Sequence, residues 1–183
     1  MRALVGAGCG LLLLVGAAAA QSQTFKTPNS EVTIVDGAPR KITIVTTSPS
    51  QEDVRILGRT SSNERCGLKA LPNYRLLKSA LHGSVCSRDE RAVIKHAVKP
   101  GPHPCMGVET MMRVVYFRPA AGYVGSDRFQ YAILDPLDRL IAIADVSVTL
   151  TPPQSPSPAS QSETAAQAAQ PTGTMDRCSA LVM

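Results

Sequence analysis

The sequence predicts an all-β fold, a sandwich of two sheets, with a leader before it and a tail after it. Three observations support this. Apolar and polar residues alternate at period two through the middle of the chain, glycine and proline interrupt that alternation at short intervals, and the two ends differ in composition from the body.

The chain opens MRALVGAGCGLLLLVGAAAA, in which Arg2 is a short basic start, Ala3 to Val15 an apolar run and Ala18-x-Ala20 a small-residue cleavage pattern before Gln21. This is the pattern of a secretory signal peptide over residues 1–20. The apolar run is shorter than the roughly 20 residues that cross a bilayer. A lipid-anchored reading at Cys9 fails on order, because the strongest apolar stretch, Leu11 to Val15, comes after the cysteine. No later segment is apolar enough to span, so the mature chain is expected to be periplasmic or secreted, and not membrane-spanning once the signal is cleaved.

Residues 21–29 read as an N-terminal linker and 30–151 as the sandwich. The expected strands begin with EVTIV (Glu31 to Val35), a turn at Asp36-Gly37 and Pro39, and KITIVTT (Lys41 to Thr47). Thr47 to Pro72 is polar and long for a loop; VRIL (Val54 to Leu57) is expected to add an edge strand there, or Cys66 to tie the loop down. Then come YRLLKS (Tyr74 to Ser79), SVC (Ser84 to Cys86), AVIKH (Ala92 to His96), MRVVYF (Met112 to Phe117), RFQYAIL (Arg128 to Leu134) and LIAIADVSVTL (Leu140 to Leu150). Tyr74, Leu77 and Leu81 also satisfy helical spacing, so NYRLLKSALHG has a short helix ending at Gly83 as its alternative. Residues 152–183 are dominated by Pro, Ser, Ala, Gln and Thr, which bury too little to offset the entropy of ordering, and read as a disordered tail. Within it SETAAQAAQ could form a short helix, marginal on its own.

The formal charge is +5, with Arg2 of the leader among its contributors, and it is spread as pairs such as Arg40-Lys41. With three Phe, four Tyr, no Trp and no basic run, the chain lacks the groups that track phosphates and stack bases, so no nucleic-acid partner is expected.

The stretch FRPAAGYVGSDRFQY holds the most information. Pro119 suits a strand exit, Gly122 and Gly125 allow turn conformations closed to other residues, and Asp127 can accept from loop amides. Phe129, Tyr131 and Ile133 then share one strand face. With Phe117, Tyr123 and Asp135, these residues resemble the pattern Y-x-P-x-x-G-[FY]-x-G-x-D-x-F-x-Y-x-[VIL]-x-D of bacterial cadherin-like and immunoglobulin-like β-sandwich modules. SALHGSV resembles the same family's P-x-H-G-x-V hairpin through His82, Gly83 and Val85, with Ala80 where proline is usual, and VSVTL (Val146 to Leu150) resembles its last strand. The resemblance covers Tyr74 to Leu150 and implies an immunoglobulin-like (cadherin-like) two-sheet sandwich. It departs at DPLDR (Asp135 to Arg139), where a glycine-bearing turn is usual, and the acidic linkers of calcium-binding repeats are missing. Asp127, Asp135 and Asp138 could gather around a calcium ion, but their spacing lacks the acidic density that its six to eight oxygen ligands require.

Four cysteines lie beyond the leader: Cys66, Cys86, Cys105 and Cys178. In an oxidising compartment an even number suggests disulfides. A hairpin of Tyr74 to Ser79 with Ser84 to His96 puts the chain entering at Cys66 and the chain leaving toward Cys105 at one end, with Cys86 at the other. That predicts a Cys66–Cys105 bridge, with Cys86 a buried thiol and Cys178 free to pair with it or with another chain.

Cys86, His96, His103 and Cys105 form a formal zinc set, but the spacing matches no recurrent zinc pattern and a disulfide would consume a ligand. There is no G-x-S-x-G turn, phosphate-cradling glycine loop or H-E-x-x-H helix. No catalytic residue, metal site or cofactor is therefore expected. The reading is an exported, non-enzymatic binding or structural module of the cell envelope or extracellular space, with an envelope protein or polysaccharide as partner. The alternatives are an envelope assembly factor or inhibitor that pairs an exposed strand edge with its partner, and, behind it, a small hydrolase or metal-binding protein.

Overall fold

A computed structural model describes residues 21–49, 52–63, 65–95, 104–152 and 178–183. Every regular element in it is a strand: β1 (Ser22–Thr27), β2 (Ser30–Val35), β3 (Arg40–Ser48), β4 (Val54–Arg59), β5 (Ser61–Ser62), β6 (Leu68–Ala70), β7 (Asn73–Lys78), β8 (Gly83–Val93), β9 (Glu109–Pro119), β10 (Gly125–Leu134), β11 (Leu140–Leu150) and β12 (Ser179–Ala180). A six-stranded sheet runs β1-β2-β3-β11-β10-β7, a four-stranded sheet runs β12-β8-β9-β4, and β5 and β6 make a separate small ladder. All pairings are antiparallel except β3 with β11, which run parallel from Arg40 beside Ala142 to Ser48 beside Leu150. The chain is an all-β sandwich.

Alternation accounts for most of these strands. On β3, Ile42, Ile44 and Thr46 are buried while Lys41, Thr43 and Val45 are exposed; on β11, Ala142, Ala144, Val146, Val148 and Leu150 point into the core. They meet Val54, Ile56, Val85, Val115 and Phe117 of the facing sheet, and Phe129, Tyr131 and Ile133 fill the centre. β9 departs from alternation because both its faces are covered. Val115 and Phe117 face the other sheet, whereas Met112, Val114 and Tyr116 join Cys86, Ile94 and Cys105 in a second cluster on the outer face. A strand buried on both sides reads as a continuous apolar run, which is what VVYF (Val114 to Phe117) is.

The structure corrects the expected element map in several places. Residues 22–27, expected as linker, form β1, paired along its whole length with β2 from Ser22 beside Val35 to Thr27 beside Ser30. The segments around Ser84 and Ala92 are one strand, β8, whose charged centre, Arg88 to Arg91, conceals its continuity. NYRLLK is strand rather than helix: Tyr74 and Leu76 pack against the core, while Leu77 and Leu81, which helical spacing would bury, are exposed. The expected hairpin of Tyr74 to Ser79 with Ser84 to His96 does not form. β7 pairs with β10 and β8 with β9, so residues 79–82 carry the chain from one sheet to the other. Val54 to Leu57 does lie at a sheet edge, in β4 beside β9.

The last six residues of the expected tail are also part of the fold, since Ser179 and Ala180 pair with Ser87 and Cys86. The signal peptide, the body of the tail at 153–177 including SETAAQAAQ, and His96 and His103 lie outside the described residues.

Candidate functional site

The motif that carries the family resemblance builds one corner of the sandwich. Asp127 is buried, and its carboxylate accepts from three backbone amides: Leu81 at 3.1 Å, His82 at 2.6 Å and Arg128 at 2.7 Å. Residues 81 and 82 are in the inter-sheet crossover, where no neighbouring strand is available to their N–H groups. The buried carboxylate takes a strand's place for the two amides of this exposed crossover, and they in turn satisfy its own need for hydrogen-bond donors. These bonds fasten the crossover to the start of β10.

The rest of the motif supports the same corner. His82 stacks on Tyr123 with ring centroids 4.3 Å apart, and the Tyr123 hydroxyl donates to the Ser126 carbonyl at 2.8 Å. Gly122 and Gly125 have φ of 75° and 138°, values that L side chains rarely adopt. Pro119 ends β9 opposite Gly83. Phe117, Phe129 and Tyr131 stack in sequence across the core, with centroids 5.8 and 6.2 Å apart.

Gly83 has no room for a side chain: a Cβ there would lie 2.5 Å from the Arg118 carbonyl oxygen and 2.6 Å from the Phe117 ring. Gly83→Ala should therefore lower the unfolding free energy by about 2–3 kcal/mol, the scale of overpacking a tight site. A urea midpoint unchanged from the parent would contradict the close approach.

The structure keeps the sparse acidic candidates apart. Asp127 lies near the start of β10 and Asp135 just past its end, a separation of roughly 25 Å along an extended strand. The Asp135 carboxylate accepts from the Leu137 and Arg139 amides and from the Arg139 side chain, and these bonds hold its carboxyl below the usual range. Asp138 accepts from Asn73 at 3.1 Å. Cys86 and Cys105 of the formal zinc set sit in different disulfides, and the described residues contain no group of three or more His, Cys, Asp or Glu placed to hold a metal ion.

Those two disulfides are Cys66–Cys105, with Cα atoms 5.3 Å apart, and Cys86–Cys178, at 5.5 Å. Both lie in the cluster on the outer face of the four-stranded sheet, away from the layer between the sheets. The first holds the β5–β6 ladder down, where the Asn63 side chain also accepts from the amides of Arg65 and Gly67 at 2.9 and 3.0 Å. The expected pair is thus the bonded one, but the hairpin that predicts it is absent: the sulfurs meet over a sheet face. Cys86 is bonded as well, so it is not a buried thiol.

At the end of the sandwich where β4 finishes, Arg113 forks onto Asp89 at 2.7 and 2.9 Å and donates to the Pro72 carbonyl and the Asn73 side chain. Tyr74 donates to the Arg113 carbonyl at 3.0 Å. The half-buried Arg59 guanidinium interacts with Tyr74 and Tyr131; burial lowers its pKa and pushes both phenols up. An open depression of about 490 Å³, lined by Gly37, Ala38, Pro39, Arg40, Leu140 and Ile141, holds one charged side chain, Arg40, whose Nε already donates to Asp36 at 2.8 Å.

The most unusual backbone arrangement is at the sheet edges. After Cys178, the chain lays β12 against β8; Leu181 N–H then donates to the Val85 carbonyl at 3.1 Å, and the Val182 carbonyl accepts from Leu76 N–H at 3.1 Å. One short segment therefore bonds to an edge of each sheet, β8 on one side and β7 on the other, and Leu181 packs against the main core between them. The seam of the sandwich is closed by the chain's own end. Beyond Ser87, β8 is blunted by Arg88, Asp89, Glu90 and Arg91, with the Arg88 guanidinium 3.9 Å over the Tyr116 ring. Charge on an edge discourages further pairing. Sequence reading misses this segment because only Cys178 and Leu181 mark it.

β1 is the other edge of the six-stranded sheet. The Asp36 amide donates to the Gln21 carbonyl, which sets the alternation, so Gln23, Phe25 and Thr27 bond inward to β2. The N–H and C=O groups of Ser22, Thr24 and Lys26 point away from the sheet. Among the described residues no strand lies beyond it.

Comparisons with protein families, with curated proteins and with solved structures find no match to this chain.

Proposed function

We propose that the chain is an exported, non-enzymatic binding or structural module of the cell envelope or extracellular space, of the immunoglobulin-like or cadherin-like kind. The observation that carries this reading is the pair of disulfides fastened over one face of an all-β sandwich, since such bridges form and persist in oxidising compartments. The leader pattern at residues 1–20 points the same way, and no helix among the described residues is long and apolar enough to cross a membrane. The corner around Asp127 supports the resemblance, because His82, Gly83, Pro119, Gly122, Tyr123, Gly125 and Asp127 each have a structural task there. Ligand choice is then left to surfaces that the motif does not specify. The test is to express the full chain with its leader. A mature N-terminus at Gln21, both disulfides formed, and retention on immobilised envelope polysaccharide or protein are expected; a retained leader or four free thiols in the native host would overturn the reading.

A second reading, strand-edge pairing with a partner, is favoured by one observation: the fold already accepts an added strand, β12 on β8. For an outside partner the edge that fits is β1, which presents three residues whose backbone has no strand partner among the described residues. Thr24→Pro removes one outward N–H and the exposed Thr24–Thr33 hydroxyl bond of 3.1 Å but keeps the backbone ladder to β2, so stability should change by less than about 1 kcal/mol. Partner retention should fall at least tenfold. Unchanged retention by this variant would exclude β1 as the pairing edge.

A further inference from the structure

We propose that the seam between β7 and β8 is an acceptor site for the carboxyl-terminal segment of a second copy of this chain, locked by an interchain Cys86–Cys178 disulfide. The inference rests on the strand-addition reading, but it concerns a different edge from β1.

The site is complete and its occupant is visible. Residues 178–183 use every means of attachment available to a short strand: a two-residue ladder on β8, a backbone bond to each of Val85 and Leu76, an apolar anchor at Leu181 and a covalent bridge. None of these contacts depends on which molecule supplies the segment. The connection does not decide it either. Twenty-five residues, 153–177, separate Pro152 from Cys178, a contour of at most about 90 Å, so the end of one chain can reach a neighbour's seam as well as its own. Each copy carries one segment and one seam, so reciprocal exchange closes a twofold dimer with both seams filled.

The chemistry balances without a net oxidant. In glutathione buffer, a glutathione thiolate first attacks the Cys86 sulfur and breaks the Cys86–Cys178 bond, leaving Cys86 as a mixed disulfide with glutathione and Cys178 as a thiolate; a Cys178 thiolate from one copy then attacks the Cys86 sulfur of another. The protein S–S bond forms and glutathione leaves as its thiolate. Two intrachain bridges become two interchain bridges. Attachment to the chain's own seam is favoured by an effective concentration on the order of millimolar, so exchange should grow as protein concentration approaches that range.

The test uses the full mature chain in two variants. Cys86→Ala keeps the segment's thiol and lacks that of the seam; Cys178→Ala has the reverse. Mixed in a glutathione redox buffer, they should yield a disulfide-linked heterodimer joined through Cys86 and Cys178 in peptide maps, in excess over Cys178–Cys178 homodimers. Adding Leu181→Asp to the Cys86→Ala chain should reduce that yield at least tenfold. Homodimers in excess, or a heterodimer yield indifferent to Leu181→Asp, would mean that thiols meet by chance and would overturn the proposal. If either variant fails to fold, wild-type protein is refolded as a mixture of isotopically light and heavy chains. Hybrid light–heavy Cys86–Cys178 peptides should appear and increase with concentration; their absence overturns the proposal. Thr24→Pro leaves this seam untouched, so a failure here and a failure at β1 are separable.

Discussion

Replacing both Cys86 and Cys178 by alanine is expected to lower the unfolding free energy by about 4–5 kcal/mol. The bridge spans 92 residues of sequence, and cross-linking so long a loop removes that much entropy from the unfolded chain in the loop-closure account. The shorter Cys66–Cys105 loop, 39 residues, should contribute about 4 kcal/mol on the same basis. The two removals differ in what else is lost. Without Cys86–Cys178, the segment 178–183 is held by two backbone bonds, a two-residue ladder and Leu181, and should detach in the folded protein. Guanidinium unfolding should show a lower midpoint, and hydrogen exchange should show loss of protection at Leu76 and Leu181 under native conditions. A midpoint within experimental error of the parent would refute the assignment of this bridge as a main staple.

The second large effect is expected at Asp127. Asp127→Ala removes the buried carboxylate that accepts from the Leu81, His82 and Arg128 amides, which should cost about 2–4 kcal/mol, since a hydrogen bond to a charged group contributes roughly 1.5–3 kcal/mol and water reaches the exposed crossover once the carboxylate is gone. Asp127→Asn keeps one acceptor oxygen and should lose less. His82→Ala should change stability by under about 1 kcal/mol, because the bond to Asp127 comes from the His82 backbone; its ring lies 3.8 Å from the carboxylate and is half exposed. In urea, Asp127→Ala should have the lowest midpoint, Asp127→Asn an intermediate one and His82→Ala the highest of the three, a ranking that tests whether the carboxylate acts as a stand-in strand. Equal losses for Asp127→Ala and His82→Ala would point to the imidazole instead.

Legibility differs between parts of the chain for identifiable reasons. Strands buried on one face, such as β3 and β11, announce themselves by alternation. β8 reads as two segments because its middle is charged on an edge, where neither face demands apolar residues. β1 reads as linker because SQTFKT carries only Phe25 as a large apolar residue, and its pairing is by backbone. The Cys66–Cys105 bond is predicted from a hairpin that the structure does not contain: sequence spacing limits which cysteines can meet, but not which sheet each strand joins.

The same division applies to the candidate sites. By itself the sequence determined the all-β class, most strand positions, the tight corner at FRPAAGYVGSDRFQY and the presence of bridgeable cysteines, because each depends on local periodicity, on glycine and proline geometry, or on residue chemistry. Only the tertiary structure decided that β7 and β8 part into different sheets, that Asp127 compensates the amides left by that crossing, and that the far end of the chain returns to seal the seam. Those features rest on strand pairings, hydrogen bonds and a disulfide between residues about 16 to 106 positions apart, and backbone groups that pair over such distances leave almost no mark on the side chains that a sequence displays.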